Sequence, residues 1–165
     1  MVSVILSLSI IITLVTQVPV LAENFKINLI HKQFIWRPYS AAILSQNDTD
    51  LGIVAITNTT EKLWNRGYLP IQLNYTNGSS ILLNLEYATL SDLGDATFMS
   101  EVRDNVTNSV LWSSKLTNTN GQLSNNTFSL PFIMLNKPVE FRLVIITNET
   151  GQHSLDVKKA AVTIR

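Results

Sequence analysis

The residues of this chain whose types and spacing could do chemistry are, first of all, asparagines. Seven of its sixteen Asn stand in the pattern Asn-x-Ser/Thr with no Pro in the middle: Asn47, Asn58, Asn74, Asn77, Asn105, Asn125 and Asn148. That pattern accepts N-linked sugar. With Asn, Ser and Thr this common, chance alone would place about three such sites, so the count is roughly twice what composition explains. Nearly all seven fall in expected turns or strand ends, where a glycan projects into solvent without disturbing a core. A second group is aromatic. Trp36 and Trp64 are candidate ligand aromatics, because flat indole faces stack on the apolar faces of sugars and their N–H groups add direction. Trp112 stands in the run Val110-Leu111-Trp112 and reads as a core residue instead.

Other chemistries find no support. His31 and His153 are the only histidines, lie far apart, and have no metal-binding spacing around them; each reads as a surface residue. Asp48 and Asp50 could offer two oxygens to a hard cation, but no Gly-anchored calcium loop follows, and a solvated turn explains them. No metal or cofactor is expected. Asp92, Asp95, Glu101 and Asp104 read as scattered surface acids rather than the convergent pair that glycoside hydrolysis needs. There is no Cys, which removes thiolate nucleophiles and thiolate metal sites. No serine sits in a G-x-S-x-G elbow and no Gly-rich phosphate loop occurs. The chain is not expected to be an enzyme.

These side chains must be positioned by strands. Runs rich in β-branched and aromatic residues, separated by Asn, Gly, Asp, Ser and Thr, cover 25–30, 51–57, 69–75, 81–90, 97–103, 110–116, 128–135, 139–147 and 155–164. Alternation gives each an inner face: Ile71, Leu73 and Tyr75; Ile81, Leu83, Leu85 and Tyr87; Phe141, Leu143 and Ile145; Val162 and Ile164. Residues 104–109 read as a hairpin connection, and Asn77-Gly78 as a turn. Helix is confined to a turn or so near Thr59–Leu63 or Ser91–Leu93. About nine short antiparallel strands predict an all-β, two-sheet antiparallel sandwich of immunoglobulin-like type, with a closed barrel as the alternative.

Residues 1–22 carry no charged side chain and contain an apolar run ended by Pro19 and Val20-Leu21-Ala22, a secretory signal peptide or leader helix with expected cleavage after Ala22. A retained membrane anchor is the alternative. Residues 23–165 then form one domain, with an N-terminal strand over 24–36. All twelve basic and all twelve acidic residues lie in that part, so no basic face is offered to nucleic acid. The setting expected is secreted or cell-surface, and without disulfides the domain must be held by core and sheet alone.

The first strand places Phe25, Ile27 and Leu29 on one face at a free chain end, where it could complete a neighbour's sandwich by strand donation. With the leader, the sequons and the missing Cys, the chain resembles secreted sandwich proteins of archaeal cell surfaces, including thread-type and donor-strand pilus subunits. That resemblance implies a structural or adhesive filament subunit whose partners are copies of itself or cell-envelope proteins. The alternative is a binding module for polysaccharide or envelope protein, secreted or membrane-anchored, similar to archaellum stator proteins if the leader is retained.

Overall fold

The computed structural model describes residues 25–31, 34–39, 42–57, 63–72, 80–92, 96–131, 138–147 and 150–165. The leader, the Asn77-Gly78 turn, and the sequons at Asn58, Asn74, Asn77 and Asn148 lie outside the described residues. Those residues form eleven strands: β1 (Phe25–Asn28), β2 (Arg37–Tyr39), β3 (Ala42–Gln46), β4 (Leu51–Thr57), β5 (Leu63–Gln72), β6 (Ile81–Ser91), β7 (Thr97–Asp104), β8 (Val110–Leu116), β9 (Ser124–Leu130), β10 (Pro138–Thr147) and β11 (Gly151–Ile164). Sheet I runs β3–β4–β11–β6–β9, with β1 also on β11; sheet II runs β2–β5–β10–β7–β8. Every pairing is antiparallel.

The expected two-sheet sandwich is therefore what forms, and the period-two pattern is what forms it. Ile81, Leu83, Leu85 and Tyr87 of β6 are buried while the residues between them are half-exposed. They meet Phe141, Leu143 and Ile145 of β10, Phe98 and Val102 of β7, and Val157, Val162 and Ile164 of β11 in one core. Each such side chain contributes about 1.5–3 kcal/mol on leaving water. Gly67 of β5 marks a close approach: a Cβ there would stand 2.9 Å from Ile53 Cδ1 and 3.2 Å from Leu44 Cδ1.

Four expectations need correction. The N-terminal strand is shorter than residues 24–36 and is consumed within its own chain. Phe25, Ile27 and Asn28 pair with Ile164, Val162 and Ala161, and the Leu29 N–H donates to Ala160 O at 2.7 Å. Ile27 packs on the core and Leu29 is buried. Apolar alternation shows that a strand buries one face but not whose sheet it joins, and here β11 runs on past the end of β4 and offers β1 a free edge. Second, β2 and β3 were not expected, being short strands next to the sheet margins. Third, β5 begins at Leu63 and β9 spans 124–130 rather than 128–135; the helix candidates retain only Leu63 and Ser91, both in strands, and a turn at Asp92. Fourth, His153, Glu101 and Asp104 are buried.

Candidate functional site

Outward-facing side chains on the middle of sheet II form the most organised polar surface among the described residues. The sequence repeats Glu-x-Arg twice, at Glu101/Arg103 on β7 and Glu140/Arg142 on β10. Period two keeps each pair on one face. The antiparallel register then sets Glu140 opposite Arg103 and Arg142 opposite Glu101, so the four charges alternate both along and across the strands. Arg103 Nε donates to Glu101 Oε2 at 2.9 Å, and Arg142 Nε donates to Glu140 Oε2 at 2.7 Å.

The turn between β7 and β8 closes one end of this square. Asp104 Oδ1 accepts from the N–H groups of Val106 and Thr107 at 2.8 and 3.0 Å, shaping the turn, and Asn108 adopts a left-handed backbone at φ 58°. Asn108 then serves both arginines: its carbonyl accepts from Arg103 Nη1 at 3.1 Å and its Oδ1 from Arg142 Nη2 at 2.8 Å. Beside it, Tyr68 of β5 stands opposite Arg142, whose guanidinium lies 5.8 Å from the centre of the Tyr68 ring.

All four charged side chains are sheltered, with side-chain exposures of 16% and 5% for Arg103 and Glu101 and 9% and 13% for Arg142 and Glu140. In such surroundings hydrogen bonds gain strength. Among the described residues each carboxylate accepts from its arginine through Oε2. Along β5, the backbone register sets Trp64 opposite Ile146 and Tyr68 opposite Arg37.

Of the residues named from the sequence, Glu101 belongs to the square and Asp104 shapes its turn, the Trp64 side chain lies outside the described residues, and the following land elsewhere. Trp36 is a core residue, 5% exposed, whose indole N–H donates to Leu29 O at 2.9 Å, so it is no part of an exposed platform. Trp112 is half-buried against the core, its ring edge-on to Phe128 at 5.3 Å. His153 is buried between hydroxyls, Nδ1 at 2.8 Å from Ser91 Oγ and Nε2 at 3.2 Å from Thr147 Oγ1. Asn47, Asn105 and Asn125 are exposed. Among the described residues no cluster of three or more His, Asp or Glu could hold a metal ion, and Asp50 pairs with Lys158 at 2.9 Å. The signal that could have found the square was the doubled Glu-x-Arg on two alternating runs.

No protein-family model and no curated protein sequence matches the chain. Solved structures do. The xylan-binding module CBM15 superimposes with a TM-score of 0.56 at 11% identity, covering 86% of this chain and 97% of that one. TmCBM61, solved in complex with β-1,4-galactotriose, does so with a TM-score of 0.51 at 7% identity, covering 79% and 88%. The chain shares the fold of carbohydrate-binding modules. The agarase AgWH50C matches with a TM-score of 0.58 at 11% identity over 82% of this chain, but that region is 24% of the agarase. The matches that span most of both chains are thus binding modules, and the expected kinship with pilus subunits is overturned. The structural or adhesive filament role goes with it, since the strand proposed for donation is already paired at home.

Proposed function

We propose that this chain is a non-catalytic, extracellular carbohydrate-binding module that holds a polysaccharide against the outward face of sheet II. The observation that carries the reading is the sheltered square of Glu101, Arg103, Glu140 and Arg142, tied together by Asn108 beside the Tyr68 ring. Sugars present adjacent hydroxyls that each donate and accept, and a surface of alternating carboxylates and guanidiniums meets both needs at neighbouring points. The pairing makes the square neutral overall, which suits an uncharged chain. Pre-paired side chains also lose little freedom on binding. Tyr68 supplies a ring on which an apolar sugar face can stack, and Trp64 occupies the same strand two register steps beyond Arg66. The exposed sequons and the apolar leader expected over residues 1–22 support an extracellular setting.

Isothermal titration of the folded domain against soluble fragments of xylan, β-1,4-galactan and agarose tests this. Saturable binding to at least one, weakened about tenfold or more by Tyr68→Ala with the melting temperature held, is expected. Binding that is indifferent to Tyr68→Ala and to Glu101→Gln would move the site off this face.

A further inference from the structure

Sheet I contains a seam. Strand β11 pairs with β4 through residues 151–157 and, on the same side, with β1 through residues 161–164; between these stretches the neighbour changes. A cavity of about 330 Å³ opens there, lined by Lys26, Asn28, Asp48, Thr49, Lys158 and Lys159 among others. That volume is at the small end for a ligand pocket.

The lysines meet there because of a bulge. In a regular strand consecutive side chains point to opposite faces, so one of Lys158 and Lys159 would enter the core. The register of β11 on β6 slips between Val157 and Lys159, making Lys158 the extra residue. Both lysines are exposed as a result, while Val157 and Ala160 on either side are buried. Bulges re-aim side chains in this way beside binding sites. Lys26 of β1 joins them from across the seam.

The charges are unevenly used. Lys158 is engaged by Asp50 at 2.9 Å. Lys26 and Lys159 make no ion pair among the described residues, although Glu86 stands next to Lys159 in the register on β6. Asn28 uses Oδ1 to accept from the Ile30 N–H at 3.2 Å, which leaves its amide N–H groups to donate. Two unengaged ammoniums and an amide donor at one cavity mouth fit oxygen-rich anions.

We propose that the seam cavity is a second site, taking an oxyanion group, carboxylate or sulfate, carried on a sugar. This rests on the reading of the chain as a carbohydrate-binding module, but uses a different sheet. Lys26 and Lys159 hold the anion, Lys158 is spent on its Asp50 partner, and Asn28 and Thr49 meet neighbouring hydroxyls.

The test follows backbone amide shifts of the ¹⁵N-labelled domain during titration with trigalacturonate, a galactose sulfate, neutral β-1,4-galactotriose and inorganic sulfate. Saturable shifts at Asn28, Thr49 and Lys159 with one or both acidic sugars are expected, and which of the two responds identifies the anion. The double variant Lys26→Ala/Lys159→Ala should weaken them tenfold or more, and Lys159→Arg should retain them. Any shifts that galactotriose causes at Arg142 and Asn108 should survive the double variant. Acidic sugars that perturb only the sheet II amides would overturn the seam site and leave the first reading standing. Seam shifts without any sugar response on sheet II would support the site and count against that reading. Inorganic sulfate binding as tightly as the acidic sugars would reduce it to a place for an adventitious ion only, and overturn it.

Discussion

Arg142 is where sequence, packing and proposed function meet. Its guanidinium is shielded, paired with Glu140, bonded to Asn108 and set against Tyr68. Removing it strands a sheltered carboxylate, so Arg142→Ala should cost about 3 kcal/mol of stability, measured by chemical denaturation. Glu140→Gln/Arg142→Ala together should cost less than Arg142→Ala alone, because no charge is left alone. An additive double-mutant cycle would show that the pair is uncoupled. The ion pair at the seam behaves differently, being exposed. The hydrogen bond from Lys158, helped by those from Thr49 and Asn47, holds the Asp50 carboxyl below its ordinary 3.8, and the same bond from the other side raises Lys158 above 10.5. Asp50 therefore contributes above 3.8 and its share is lost as pH falls through the lowered value. Lys158 contributes below 10.5 and its share is lost as pH rises through the raised one. NMR titration of Asp50→Asn should show Lys158 returning toward 10.5; no movement would mean the bond does not persist in solution.

Strands, at the next scale up, explain what the residue pattern did and did not reveal. Alternation in 81–87 and 141–145 identified inward faces that are buried, and the 104–109 connection is the turn it looked like. The same alternation misassigned β1, since an apolar face such as that of Ile27 and Leu29 is buried whether the partner strand belongs to this chain or another. Trp36 misled for a related reason: nothing in its neighbours along the chain shows what covers the indole, and only the fold brings Leu29 O to its N–H. The square on sheet II was half legible. Each Glu-x-Arg is visible in the sequence, but their opposition depends on β10 lying beside β7, a long-range pairing that no local pattern encodes. Deleting residues 23–28 should accordingly lower the melting temperature of a monomer by exposing the β11 edge and part of the core. Melting that is unchanged would show that β1 does not hold the β11 edge in solution. Gly67→Val should destabilise by about 1–3 kcal/mol, because its side chain would drive β5 away from Ile53.

For the whole molecule, the two sheets divide the work. Sheet I keeps β1 and β11 together at its centre and presents lysines at its seam, whereas sheet II presents a charge-balanced square beside an aromatic ring. The exposed sequons lie at the β3–β4 turn, the β7–β8 turn and strand β9, so a glycan at Asn105 would stand at the end of the square and those at Asn47 and Asn125 away from it. Glycopeptide mapping of protein made in a glycosylating host should show sugar at these three positions. The crystal structure of the domain with a bound oligosaccharide bears most directly on the central claim. It should show sugar rings along sheet II, hydroxyls within hydrogen-bond reach of Glu101, Arg103, Glu140 or Arg142, and one ring face against Tyr68. Sugar seated only at the loops or on sheet I, with the square untouched, would contradict it.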